Sequence, residues 1–286
     1  MNRRQTLLTA LGASTALLTR FTKASDPTAK LRQSVCRAPF AKIPMDEFCE
    51  ACKEIGIESI ELLEPNEYPI VIKHGLQCAV GRFTSKLLPE SHIMCGWNRP
   101  EYHEILIAGY TELIQKTADA GFKKVICFSG LRKGMDEKQG LENCAVGLTK
   151  LMPLCQKLGV TMVMELLNSK VNHADYMADN TPFGVGLCEK IGSPHFRILY
   201  DIYHMQIMEG NLIATIQKHH SWFAHYHTAG VPGRNEIDQT QEINYPAVVR
   251  AILATGYRDY IAQEFSPKQP DKIKSLRQAV EICTPI

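Results

Sequence analysis

Residues 161–165 read Thr-Met-Val-Met-Glu and residues 197–201 read Arg-Ile-Leu-Tyr-Asp, so each short apolar run ends on a carboxylate. Two later runs have the same form: Trp-Phe-Ala-His-Tyr-His over residues 222–227 and Tyr-Ile-Ala-Gln-Glu over residues 260–264. Their last residues are 36, 26 and 37 positions apart, and each interval suits one strand followed by one helix. If the strands are parallel, the four ends meet at one rim of a sheet.

The last residues of these runs are Glu165, Asp201, His227 and Glu264. Three carboxylates gathered at one rim repel one another unless a cation lies between them. Oxygen and nitrogen ligands of this kind suit manganese, magnesium or a similar divalent ion, so the pattern predicts one divalent metal site. A carboxylate that ends an apolar strand also suits the N-cap of the next helix, which is the structural alternative for each residue taken alone.

Strand-like runs alternate with helical patterns along the chain, which predicts an α/β fold with a parallel sheet wrapped by helices. The candidate strands cover residues 33–36, 59–63, 77–80, 124–128, 161–165, 197–201, 222–227 and 260–264. Many are preceded by a glycine that suits the end of a helix, namely Gly56, Gly75, Gly121, Gly159, Gly192 and Gly256. Eight strands alternating with helices predict a (β/α)8 TIM barrel.

Two connections that follow strands are longer than a simple strand–helix unit requires, residues 81–100 and 166–182. Loops after strands build the active face of a barrel, so we expect these two to be walls or lids of the site. Asn168, Lys170 and His173 in the second loop are candidates for lining the pocket, with solvent exposure favoured for the lysine.

The N-terminus predicts a targeting segment. Arg3 and Arg4 precede an uncharged, largely apolar stretch over residues 7–18, which is short for a bilayer span and typical of a twin-arginine export leader. We therefore expect residues 1–24 to be a signal segment and residues 25–286 to be a single barrel domain. This protein would be periplasmic, without a stable membrane span in its mature form. A cytosolic N-terminal helix is the alternative and would leave the protein in the cytoplasm.

Charge, chain length and cysteine content each limit what this protein can be. Removal of residues 1–24 changes the formal charge at pH 7 from +2 to −2. A mildly acidic protein is a poor non-specific ligand for polyanions, so no nucleic acid partner is expected. The remaining chain of about 262 residues suits one eightfold barrel. Ten cysteines without paired C-x-x-C motifs predict free, mostly buried thiols.

Several short motifs accompany the four strand ends. Ile-Glu-Leu-Leu-Glu-Pro covers residues 60–65, Asp-Ile-Tyr-His covers 201–204 and Gly-Val-Pro-Gly-Arg covers 230–234. In this order they resemble the xylose-isomerase-like barrel superfamily. Within it the chain is most similar to the hydroxypyruvate isomerase family, from Leu31 to the C-terminus.

The resemblance implies an intramolecular oxidoreductase, an isomerase, with one divalent metal ion held by Glu165, Asp201, His227 and Glu264. His227 departs from the hydroxypyruvate isomerases, which often have glutamine there, and matches the ketose epimerases. The histidine therefore supports the metal site more strongly than it supports hydroxypyruvate as the substrate. His225 projects to the same side of its strand and is a second candidate ligand. One of Glu61 and Glu64 is also a candidate to face the site.

The residues suggest a proton-transfer reaction. Interconversion of an α-hydroxy aldehyde and an α-hydroxy ketone moves a proton between adjacent carbons through an enediolate, whose charge a bound metal stabilises. Glu165 and Glu264 are the candidate catalytic residues that remove and return this proton. His204 and Arg234 are the candidate substrate-binding residues, the first through a hydrogen bond and the second through a bidentate pair with a carboxylate. The expected reaction converts hydroxypyruvate to tartronate semialdehyde.

Other functions stay open at this point. A ketose 3-epimerase or another sugar isomerase would use the same metal site, and a carbohydrate-binding barrel would use the same rim without catalysis. DNA-repair endonucleases of this superfamily hold several zinc ions, and they would need more ligands at the rim and a basic face. The expected partner is a small hydroxy-carbonyl acid or a sugar, and a homo-oligomer is open.

Overall fold

The computed structural model describes residues 30–284. The predicted signal segment, residues 1–24, lies outside the described residues, as does the predicted start of the mature chain at Ser25. From Leu31 onward, strands and helices alternate, as expected for a barrel built of strand–helix units.

Seven parallel strands form one sheet. They are β1 (Arg32–Cys36), β2 (Ser59–Glu61), β3 (Lys124–Cys127), β4 (Thr161–Glu165), β5 (Phe196–Asp201), β6 (Phe223–Thr228) and β7 (Tyr260–Gln263). Their order in the sheet is β2-β1-β7-β6-β5-β4-β3, and every pair is parallel. The carboxyl ends of the strands therefore lie at one rim, as the sequence predicted.

The predicted strand over residues 77–80 is not a regular strand, and that prediction was wrong in form. The segment is extended but makes only isolated bridges to its neighbours. The Ala79 N–H donates to the Ser59 hydroxyl at 2.8 Å, so a side chain takes a donor that a regular ladder would use. The Gly81 amide still donates to the carbonyl of Lys124 at 2.9 Å. The segment therefore fills the place of the missing strand between β2 and β3.

The described residues form ten α-helices around the sheet. They are α1 (Met45–Ile55), α2 (Tyr68–Lys73), α3 (His103–Asp119), α4 (Glu137–Thr149), α5 (Met152–Leu158), α6 (Thr181–Ile191), α7 (Ile202–Met208), α8 (Leu212–His219), α9 (Tyr245–Ala254) and α10 (Lys272–Ile282). Short 3-10 helices cover Ala38–Phe40, Pro65–Glu67, Pro100–Tyr102 and His220–Trp222. All six glycines predicted to follow helices have positive φ, which confirms their left-handed role.

The core and the loops follow the expected plan. Buried strand residues and the inner faces of the helices form one hydrophobic cluster. All ten cysteines are buried and free, which confirms the predicted thiols. The two long connections contain no helix or named strand over residues 82–99 and 166–180. Within residues 30–284, none of the helices combines the length and apolar composition needed to cross a membrane.

Candidate metal centre

The four strand-end residues singled out in the sequence lie together at the carboxyl rim. Glu165 and Asp201 are the last residues of β4 and β5, His227 is the penultimate residue of β6, and Glu264 directly follows β7. Asp201 is the register partner of His227, and the Glu264 amide donates to the carbonyl of Thr228 at 2.9 Å. One ligand atom from each of the four residues lies within 4.8 Å of the others. The parallel register thus brings four distant positions of the chain into one cluster.

His227 and Arg234 connect the carboxylates of this cluster. His227 Nδ1 lies 2.6 Å from Glu264 Oε2 and 3.3 Å from Glu165 Oε1. Arg234 Nη2 donates to the same Glu264 oxygen at 2.6 Å and to Asp201 Oδ2 at 3.2 Å. Each carboxylate of the cluster therefore has at least one nitrogen neighbour.

The carboxylates are close enough to shift one another's pKa. Burial and the charge of Glu264 raise the pKa of Glu165 to about 7. Burial also raises the pKa of Asp201. At Glu264 burial acts in the same direction, but Arg234 and His227 outweigh it and hold the pKa well below its usual range. The repulsion between the two glutamates is what a cation between them would relieve.

The donor set fits a divalent ion. Three carboxylates and one imidazole nitrogen are the ligands expected for manganese, magnesium or a related ion. Arg234 offsets one of the three negative charges when all three acids are ionised, which leaves an excess suited to a dication. Asp201, Glu165 and His227 are almost fully buried, so water cannot screen that excess effectively.

Asp201 has two roles, one for each of its oxygens. Its Oδ1 accepts the backbone N–H of His204 at 3.2 Å and so caps α7. The capping alternative considered for each strand-end acid therefore applies to Asp201. Its Oδ2 remains turned to the cluster, where it meets Arg234. Capping and metal binding are compatible at this residue.

The tautomer of His204 follows from its neighbours. Its Nδ1 accepts the backbone N–H of Asn168 at 3.1 Å, and a backbone amide can only donate. Burial lowers the pKa of His204 well below its usual value, so the ring is neutral and carries its proton on Nε2. This Nε2 atom is buried without a hydrogen-bond partner and lies 3.6 Å from Asp201 Oδ2. His204 thus presents an unsatisfied N–H donor beside the cluster.

Arg234 lies in the loop after β6 and is held from several sides. Its backbone has a φ of 59°, and its carbonyl accepts the Ser266 N–H at 2.7 Å. The guanidinium lies 5.5 Å from the centre of the Tyr203 ring. Its Nη2 is engaged by protein carboxylates, whereas its buried Nε has no partner. The predicted contact with a substrate carboxylate stays a prediction.

The other loop candidates have different surroundings. Lys170 Nζ donates to the carbonyls of Ile207 and Met208 at 3.2 and 2.9 Å, so it caps the end of α7 instead of lining a pocket. The His173 ring is half-buried and lies against the ring of His204, with centroids 5.3 Å apart. His173 therefore lies next to His204, beside the cluster.

Glu61 is the functional candidate that the sequence left unresolved. It is completely buried, and its Oε1 lies 2.8 Å from His225 Nε2 and 2.9 Å from His227 Nε2. Glu64 instead pairs with Arg82 at 3.0 Å. His225, the second candidate ligand, is turned to Glu61 and is not one of the four clustered residues. The available signal was a carboxylate in the middle of the candidate strand over residues 59–63, and the structure ends β2 at this residue.

The family model of the xylose isomerase-like TIM barrel matches residues 33–284. The chain belongs to this family. Among relatives, the hydroxypyruvate isomerase of Escherichia coli is 26% identical over 228 residues, which covers 77% of this chain and 86% of that protein. The 2-oxo-tetronate isomerase of Haemophilus influenzae is 23% identical over 245 residues, with coverage of 80% and 90%.

A putative hydroxypyruvate isomerase of Xenopus laevis is 26% identical over 173 residues, which covers 59% of this chain and 62% of that protein. The matches to this protein and to its human counterpart, of which 38% is covered, span less than two thirds of the relatives' length. The activity of the whole protein is therefore a proposal.

Two solved structures share the fold of this chain. A crystal structure of an AP endonuclease family 2 protein from Brucella melitensis superposes with a TM-score of 0.78 at 21% identity, covering 88% of this chain and 99% of that one. A 3-keto-D-glucoside 4-epimerase from Escherichia coli superposes with a TM-score of 0.72 at 17% identity, covering 88% and 98%. At these identities the likeness shows the fold alone.

Proposed function

We propose that this protein is a metal-assisted isomerase of a small hydroxy-carbonyl acid, with hydroxypyruvate as the first candidate substrate. The observation that carries the proposal is the convergence of Glu165, Asp201, His227 and Glu264 within 4.8 Å. Similarity to proteins named hydroxypyruvate isomerase and 2-oxo-tetronate isomerase supports a short oxo acid as the substrate class.

In the proposed reaction, one glutamate removes a proton from the hydroxymethyl carbon of hydroxypyruvate. The same proton or one from solvent then returns to the former ketone carbon, the hydroxyl proton passes to the former ketone oxygen, and the product is tartronate semialdehyde. Glu165 and Glu264 flank His227 and are the candidates for these transfers. A bound manganese or magnesium ion would stabilise the negative charge that develops on the two substrate oxygens.

His204 and Arg234 supply the polar contacts that would orient the acid. The Nε2–H of His204 is a buried donor without a partner and would donate to a substrate oxygen. The free Nε of Arg234 would donate to the substrate carboxylate while its Nη2 stays on the protein acids. Both groups lie beside Asp201, so the acid would be held next to the metal ligands.

The test is an assay in deuterated water that follows products by NMR. Manganese-loaded protein is incubated separately with hydroxypyruvate, a 2-oxo-tetronate and a panel of ketoses. We expect conversion of a short oxo acid, with deuterium at the carbon that receives the proton. Glu165→Gln should lower turnover by roughly 10²- to 10⁴-fold, because it removes a proton-transfer group and a ligand. The exposed Glu54→Gln is the matched control and should keep full activity. No conversion of any of the oxo acids would overturn the proposal.

A ketose 3-epimerase is the second candidate, and His227 favours it. A histidine at this position matches the epimerases, and it lies within the cluster with Nδ1 turned to both glutamates. Epimerisation of a ketose in the same assay, without conversion of either acid, would establish this candidate. Binding of a sugar without any turnover would indicate a carbohydrate-binding barrel.

A further inference from the structure

A second polar cluster lies in the barrel interior on the far side of His227 from the proposed metal ligands. Glu61, Ser34, His225 and His227 have no exposed surface. A TIM barrel interior is normally packed with apolar side chains, and a buried carboxylate is unfavourable unless hydrogen bonds compensate it. Glu61 has that compensation on both oxygens. Its Oε2 accepts from the Ser34 hydroxyl at 2.5 Å, and its Oε1 lies within 3 Å of both histidines.

Contacts on both sides of the His227 ring set its orientation. An ionised carboxylate only accepts hydrogen bonds, so His225 and His227 must both donate to Glu61 through Nε2. His227 Nδ1 lies 2.6 Å from Glu264 Oε2, so by the same rule it also donates when no metal is bound. A metal ion at this position would replace the Nδ1 proton, while the Nε2–H stays on Glu61. Among the described residues, Glu61 is the one strong hydrogen-bond partner of His227 Nε2, because Cys36 Sγ is 3.9 Å from this atom and is a weak partner.

We propose that Glu61 is a positioning residue that holds His227 with its Nδ1 turned to the divalent ion, so that carboxylate, histidine and metal form one relay. The inference rests on the proposed metal site. Carboxylates that accept the second N–H of a metal-binding histidine fix the tautomer and ring orientation and increase the basicity of the ligand. Glu61 reaches His227 from β2, across the barrel from β6, and therefore acts through His227 without touching the substrate.

The first test compares manganese affinity by isothermal titration calorimetry. Glu61→Gln has nearly the same shape but carries no charge, and its neutral amide oxygen is a weaker acceptor for the N–H groups of the two histidines. We expect its manganese dissociation constant to rise by roughly 10- to 100-fold. Ser34→Ala removes one hydrogen bond from Glu61 and none from His227, so it is the matched control and should change the affinity much less. Thermal unfolding of both metal-free variants shows whether each is folded.

The second test needs no variant. With ¹⁵N-labelled histidine and one equivalent of zinc, long-range proton–nitrogen spectra of the wild-type protein report which nitrogen of each ring is protonated. We expect metal-bound Nδ1 and protonated Nε2 at His227. Metal bound through Nε2 of His227 would overturn the proposal, even if Glu61→Gln does not fold.

The outcomes separate this inference from the proposed function. Wild-type protein that binds manganese while Glu61→Gln binds it equally well would overturn the role of Glu61 and leave the metal site intact. Wild-type protein that binds no manganese would overturn both. Weaker binding in Glu61→Gln, together with an Nε2–H in the wild-type spectra, supports the relay.

Discussion

Single side chains in this site are oriented by contacts on the side that faces away from the proposed metal position. Asp201 uses one oxygen to cap α7 and has the other free for the cluster. His204 is fixed as an Nε2–H donor by the backbone of Asn168. The Nε2–H of His227 donates to Glu61 at 2.9 Å. Each group thus has its chemistry set before any ligand arrives, which is the preorganisation that efficient sites require.

The pKa of Glu165 leads to a prediction on metal binding. Because burial and Glu264 raise this pKa to about 7, a proton competes with the metal for Glu165 as the pH falls through 7. We expect manganese to bind at least roughly tenfold more weakly at pH 6 than at pH 8 because of the Glu165 proton. Burial lowers the pKa of His227, but Cys36 and Glu264 outweigh it and raise that pKa well above its usual value, so His227 adds a second proton to displace. Calorimetry at the two pH values measures it. Glu165→Gln, which has no proton to displace there, should lose this part of the pH dependence. Equal wild-type affinities at both pH values would contradict the assignment.

His204 provides a separate prediction on catalysis. His204→Phe keeps a ring in the buried space but removes the Nε2–H donor. A hydrogen bond to a charged oxygen is worth about 1.5–3 kcal/mol, so kcat/KM should fall by roughly 10- to 150-fold. Manganese affinity should be nearly unchanged, because His204 is not one of the four clustered residues. His220→Phe, at an exposed histidine, is the control. Full activity in His204→Phe would exclude a role in substrate binding.

At the scale of elements, the ends of strands place the polar residues of the site, and the ends of helices direct the chain into the next strand. Strands β4 to β7 deliver the four polar residues, and the glycines after the helices turn the chain back into the next strand. Gly159 is one example, because its φ is 65° and an added Cβ would meet nothing within 4 Å. The requirement there is one of backbone conformation alone.

Substitution of Gly159 separates conformation from packing. Gly159→Ala should lower the free energy of unfolding by about 1–2 kcal/mol, since the left-handed region is unfavourable for a residue with a Cβ. Gly159→Asn should lose less, because asparagine adopts this conformation more readily. Urea unfolding of the two variants and the wild type measures the difference. Equal stability of the alanine variant and the wild type would contradict the account.

The strands and their contacts show how much of the fold and the site the sequence could predict. The seven strands follow from short apolar runs, and the rim residues follow from the polar groups on which four of these runs end. Residues 77–80 have the same local pattern, but the Ala79 N–H donates its hydrogen bond to the Ser59 hydroxyl, which interrupts the backbone ladder. The contacts of Glu61 and Arg234 join residues 166 and 30 positions apart, so only the folded chain reveals them.

At the scale of the whole molecule, one barrel gathers a strongly negative site in a chain of nearly balanced charge. The burial of these acids is unfavourable without a cation, so an ion that binds only the folded state should stabilise the fold. The predicted leader and periplasmic location stay predictions at this scale, and a homo-oligomer stays open. A folded, metal-containing barrel is compatible with the predicted twin-arginine export route.

The central claim is that four strand ends hold one divalent ion, and a manganese titration by calorimetry tests it most directly. Asp201→Asn is the decisive variant, because asparagine caps helices as well as aspartate does but lacks the charge. We predict one manganese ion per chain in the wild-type protein and loss of this binding in Asp201→Asn, while its fold and the exposed control Glu54→Gln are unaffected. Wild-type protein without stoichiometric binding, or Asp201→Asn with unchanged affinity, would contradict the account.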